Sequence, residues 1–81
     1  MDKQQIETKL REIIARRIPA LKADDIKDDA DLGALGADSL AVSWIVADVE
    51  DTFDIIIRSE DIMKLNTLAA GVDYVAKRIS A

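Results

Sequence analysis

Leu35-Gly36-Ala37-Asp38-Ser39-Leu40, continuing into the register of Leu40 to Phe53, decides how this chain is read. Asp38 and Ser39 are residue types that begin helices, because their side-chain oxygens accept from backbone N–H groups that have no partner in the first turn. Gly36 lets the chain turn sharply just before them. From Leu40 onward, Ile45, Val46, Val49 and Phe53 fall along one side of a helix over about Ser39 to Thr52. Ser39 therefore belongs at the positive end of a helix dipole, with its hydroxyl directed away from the core. A phosphate attached to that hydroxyl would be well placed.

A plain N-cap is the commonest use of such a serine. A catalytic serine is the sharper reading, and composition argues against it. The chain has no His and no Cys, so no Ser-His or Cys-His pair can be assembled. A Ser-Lys pair is formally open, but no lysine is near Ser39 in sequence and the local charge is negative. Ser39 reads as a group that is acted upon.

Working outward, Lys3 to Arg17 places Ile6, Leu10, Ile13 and Ile14 at helical spacing, with Lys9, Arg11, Glu12 and Arg16 toward water. Pro19 ends that helix. A long connection runs to Ala37, and Leu21, Ile26, Leu32 and Leu35 predict that it lies pinned across the core. Asp54 to Arg58 reads as an apolar connection; its three isoleucines lack a second strand to pair with. Ser59-Glu60-Asp61 predicts a cap and a short helix III over about Glu60 to Lys64. Asn66-Thr67 caps a last helix with Leu68, Val72, Val75 and Ile79 inward. Gly71 weakens it by roughly 1 kcal/mol relative to alanine. The expected fold is all-α, a small four-helix bundle with three long helices, a short helix III and a long helix I–II loop. Its core could loosen enough to admit a chain-like ligand between facing helices.

With 81 residues the chain makes one domain, 1–81. Apolar residues are 49% and aromatics only 4%, so the core has to be aliphatic. Zero Cys excludes disulfides and suits a reducing cytoplasm. No apolar run approaches the ~20 residues of a membrane span. The first residues, with Asp2, Gln4 and Gln5, lack the apolar stretch of a signal peptide. Net charge is −5, and it is unevenly spread: residues 24–61 hold twelve acids against Lys27 and Arg58, while both flanks are basic. That field disfavours nucleic acid and brackets Ser39 with an acidic face. Such a face is either simply solvated or a docking surface for basic partners.

Asp24, Asp25, Asp28, Asp29 and Asp31 invite a calcium loop. Counting from Asp28, Gly33 falls where an EF-hand wants glycine, but Ala30 and Leu32 occupy ligand positions, so no metal site is predicted. Trp44 stands one step off the apolar stripe. It is either a rim residue of the core or an exposed contact anchor.

Gly36-x-Asp38-Ser39-Leu40, followed by a helix ending in Glu50-Asp51-Thr52-Phe53-Asp54-Ile55, resembles the acyl carrier protein family. The resemblance covers almost the whole chain, to Ile79. It implies a four-helix fold and a 4′-phosphopantetheine arm on Ser39, with Asp38 and Leu40 flanking the attachment. The arm would be transferred from coenzyme A by a separate Mg²⁺-using phosphopantetheinyl transferase. Its thiol would hold acyl groups as thioesters in fatty-acid, specialised lipid or polyketide synthesis. The protein would be a monomeric cytoplasmic carrier, not an enzyme, meeting basic patches on acyl-loading and acyl-transferring enzymes. Asp48, Glu50, Asp51, Asp54, Glu60 and Trp44 would form the partner surface. Aminoacyl or peptidyl carriage, D-alanyl for example, and an unmodified acidic helical adaptor are the alternatives. Carriers of fatty-acid synthesis usually have acids at the positions of Ala41 and Trp44, often proline at Arg58 and commonly an acid at Ile56. These departures point to a specialised carrier.

Overall fold

The structure, a computed structural model, describes residues 2–18, 22, 26, 27, 29, 31, 32 and 39–80. The described residues are all-helical: α1 (Lys3–Arg17), α2 (Ser39–Phe53), a 3₁₀ helix (Ser59–Lys64) and α3 (Leu68–Ser80). Helix α1 packs against both α2 and α3. Pro19, Leu21, Asp24, Asp25, Asp28, Leu35, Gly36 and Asp38 lie outside the described residues.

Helix α1 begins with a reciprocal cap. The Asp2 carboxylate accepts from the Gln5 N–H at 2.8 Å, and the Gln5 side chain accepts from the Asp2 N–H at 2.9 Å. Two otherwise orphaned donors are thereby satisfied. Ile6, Leu10, Ile13 and Ile14 are buried, and the Ile18 N–H bonds the Ile14 carbonyl at 3.1 Å as the helix closes. One outward assignment needs correction: Arg11 is only partly exposed and donates to the Glu7 carboxylate at 2.8 Å and to the Ile26 carbonyl. It ties the connection's backbone to α1. Ile26 and Leu32 are buried, as expected of a pinned connection. The Leu32 N–H also bonds the Asn66 carbonyl at 3.0 Å, within an antiparallel bridge between Asp31 and Thr67.

Helix α2 buries Val49 and Phe53, with Ile45 and Val46 packed beside them. It ends in a left-handed residue, Asp54, at φ 55°. The Ile55 N–H then reaches back to the Glu50 carbonyl at 3.2 Å, closing a Schellman-type turn. The isoleucine run that follows alternates: Ile56 is 78% exposed and Ile57 is buried. Among the described residues this run pairs with no strand.

The segment expected as helix III winds with 3₁₀ geometry. The Asp61 N–H bonds the Arg58 carbonyl, and that of Leu65 bonds Ile62, each three residues back. Ser59 falls inside this helix, and the N-cap position is Arg58, without a side-chain cap bond. For α3 the cap is Thr67, whose hydroxyl accepts from the Ala70 N–H at 3.1 Å. Leu68, Val72 and Val75 are buried as the spacing predicts, but Ile79 is 37% exposed, because the last turn of α3 runs past the core.

A non-glycine residue in the left-handed region carries a conformational cost on the order of 1 kcal/mol. Asp54→Gly is therefore expected to stabilise the fold by up to about 1 kcal/mol in urea unfolding, whereas Asp54→Val should destabilise it.

Candidate functional site

Ser39 is the first residue of α2, and the first turn of that helix holds no acid. The positive dipole end of α2 therefore faces no carboxylate from its own first turn, a setting that favours an anion at Ser39. Leu40 is 65% exposed next to it. Asp38 lies outside the described residues.

One helical turn on, Trp44 is 49% exposed, so it lies outside the core and on the same face as Leu40. The Arg17 guanidinium of α1 sits 5.0 Å from the centre of its ring. That guanidinium also donates two hydrogen bonds to Asp48, at 2.7 and 2.9 Å. Trp44 and Asp48, four residues apart on α2, thus share one cation from α1. The hydrogen bonds from Arg17 hold the Asp48 carboxyl below the usual carboxylate range, against the opposing effect of partial burial. The same bonds raise Arg17.

The other acids read as a partner surface divide. The Glu50 carboxylate accepts from the Ile57 N–H at 2.8 Å and so fastens the end of α2 to the following segment. Asp51, Asp54 and Glu60 are exposed, and Glu60 lies 3.6 Å from Arg58 in a solvent-facing ion pair. A further acid, Asp61, accepts from the Tyr74 hydroxyl at 2.8 Å, with Arg78 donating to that hydroxyl at 2.9 Å. Tyr74 at the middle of α3 was the available signal, since a half-buried phenol seeks a polar partner.

On its inner side α2 borders an apolar cavity of about 320 Å³. Val42, Ile45, Val46 and Val49 form the α2 wall, the 3₁₀ helix contributes Ile62 and Met63, and α1, α3 and the connecting segments supply the rest. Val42 is three residues from Ser39, about 4.5 Å along the helix axis. The cavity therefore begins within a turn of Ser39. Among the described residues no group of three or more potential ligands is arranged for a metal, and no helix is long and apolar enough to cross a membrane.

A helix whose first turn holds no acid, with an apolar cavity one turn away, fits a phosphate-linked arm that carries an apolar load. The family model for the phosphopantetheine attachment site matches residues 8–75. The chain is similar to the acyl carrier protein of Desulforapulum autotrophicum, 34% identical over 90% of this chain and 96% of that protein. It is also similar to the acyl carrier proteins of an Exiguobacterium species (35%, covering 98% of this chain and 100% of the relative) and Chlorobium phaeobacteroides (34%, covering 96% and 100%). The chain belongs to the acyl carrier protein family, and its cofactor is covalently attached 4′-phosphopantetheine.

Two side-chain bonds at this site are open to test. Asp48→Asn should lower the melting temperature at neutral pH, because the parent gains stability from a carboxylate that Arg17 holds ionised. That gain is complete above the unfolded carboxylate pKa and fades as pH falls through the lower folded value, so the gap between the two proteins should narrow below about pH 4. Glu50→Ala leaves the Ile57 N–H without its charged acceptor and should cost about 1.5 kcal/mol in denaturant unfolding. Glu50→Gln, which keeps an acceptor oxygen, should cost less.

Proposed function

We propose that Ser39 is the attachment residue: its hydroxyl oxygen forms the phosphodiester to the arm as a separate transferase breaks the pyrophosphate bond of coenzyme A, with adenosine 3′,5′-bisphosphate leaving and the hydroxyl proton passing to the transferase or solvent. The observation that carries this is the position of Ser39 as the first residue of α2, within a turn of an apolar cavity. When bound, the arm supplies a terminal thiol that holds acyl groups as thioesters. The chain's own contribution is positional. The start of α2 receives the phosphate, Leu40 and Asp38 flank it, and the inner face of α2 offers the cavity to the load. Beyond the Ser39 hydroxyl that becomes esterified, no side chain is asked to act as acid, base or nucleophile, so in this reading the protein is a carrier and not an enzyme. The apolar cavity favours an acyl load over an aminoacyl one, since an ammonium group would lose its hydration there.

In this reading the carrier is a cytoplasmic monomer whose four-helix bundle counts the 3₁₀ helix as its fourth member. Its partners meet the outer face of α2. Leu40 and Trp44 supply apolar contact, while Asp51, Asp54 and Glu60 steer basic enzyme surfaces, with Asp48 and Glu50 adding to the field. Exposed charge pairs contribute ~0–1 kcal/mol each and fade with salt. An aromatic anchor contributes roughly 2 kcal/mol or more. Ala41 and Trp44, apolar where family members of fatty-acid synthesis usually have acids, suit a dedicated lipid or polyketide pathway.

Incubation of the unmodified protein with coenzyme A, Mg²⁺ and a broad-specificity transferase should add one phosphopantetheine by intact mass, and Ser39→Ala should add none. A parent of unchanged mass would sink the assignment. Trp44→Glu should leave the melting temperature nearly unchanged, weaken binding to the native partner by about tenfold or more, and improve acceptance by general fatty-acid enzymes. Unaltered partner choice would remove Trp44 from the recognition surface.

A further inference from the structure

Gly71 occupies the interior of α3, where glycine is the poorest helix former apart from proline. A glycine there usually answers to a close approach or an unusual backbone. Neither applies. Its backbone is helical, and a methyl group built on it would meet Leu10 Cδ1 at 3.5 Å, an ordinary van der Waals distance. Alanine would therefore fit, and would favour the helix. Gly71 does line the apolar cavity, next to Leu10. Local preference and the observed residue disagree at a position where the only thing gained is empty volume, and such disagreements mark functional positions.

We infer that Gly71 is a specificity-determining residue that sets the length of acyl chain the cavity accepts, an inference that rests on the carrier reading above. The cavity measures about 320 Å³. That space is large enough for several methylene groups of an extended chain. A methyl at position 71 removes about one of them, and an isopropyl group about three. Gly71→Ala and Gly71→Val thus form a graded series that shortens the accepted chain without touching Ser39 or the outer face of α2.

The test loads the parent and both variants from acyl-coenzyme A in single-carbon steps from hexanoyl to dodecanoyl, confirms loading by intact mass, and compares melting temperatures with the unacylated holo forms. The parent's melting temperature should climb with chain length and level off at a length within the series. The unloaded Gly71→Ala protein should melt higher than the parent, with levelling about one carbon earlier; in Gly71→Val it should come about three carbons earlier. Identical levelling lengths in parent and variants would overturn the inference. So would an unloaded Gly71→Ala that melts lower than the parent, since packing would then explain the glycine. A parent that loads fully yet shows no dependence on chain length overturns the length role and leaves the attachment reading standing. Failure to load at all strikes the attachment reading and this inference with it.

Discussion

Among the described residues, the buried side chains are apolar without exception, and apart from Phe53 they are aliphatic. Burial of this kind is the dominant favourable term in folding, but it has no direction. Leucine, isoleucine and valine would accept many rotations of one helix against the next. Direction comes from polar contacts at the margin of the core. The Asp2–Gln5 box and Thr67 fix where α1 and α3 begin, Arg11 draws the Ile26 carbonyl onto α1, and Glu50 ties α2 to Ile57. Arg17 does the same for the α1–α2 pair through Asp48. A loosely specified interior with firmly specified edges can keep a cavity open without losing its topology.

Helix α2 joins fold to function because its two faces have opposite duties. Inward, Val42, Ile45, Val46 and Val49 wall the cavity; outward, Leu40 and Trp44 stand in solvent. A rotation of α2 about its axis would exchange those duties, moving an exposed indole toward the core. The paired bonds from Arg17 to Asp48, with the guanidinium lying over Trp44, oppose such a rotation. The cation that steadies the helix also partly covers its most conspicuous apolar side chain.

Helix bounds were legible because the apolar period agreed with the stop at Pro19 and the start at Asp38-Ser39: Lys3 to Arg17 and Ser39 onward follow the sequence reading to within a residue. The all-α class was equally open to view. Other features depended on geometry that no local pattern encodes. The 3₁₀ winding of Ser59–Lys64 depends on how Ile62 and Leu65 meet the core, and the outward drift of Ile79 depends on where that core ends. The capping box at Asp2 and Gln5 was in plain sight as an acid three residues ahead of a glutamine. Trp44 could not be assigned to rim or surface from its phase alone; its partner Arg17 is remote in sequence. Within the candidate site, Ser39 was open to proposal from composition and capping chemistry, and it stands first in α2. The division of the acids could not be foreseen, since Asp48, Glu50 and Asp51 look alike as letters and differ only in what reaches them.

The chain has a single tryptophan, and it stands on the outer face of α2 five residues from Ser39, about 7.5 Å along the helix axis. Its indole is about half exposed, with the Arg17 guanidinium 5.0 Å from the ring centre. The intrinsic emission of this protein therefore comes from one spot beside the proposed attachment residue, where a docking surface that dried the ring or displaced Arg17 would change its colour and intensity. The molecule carries its own optical probe, with no label to attach and no second tryptophan to blur the signal.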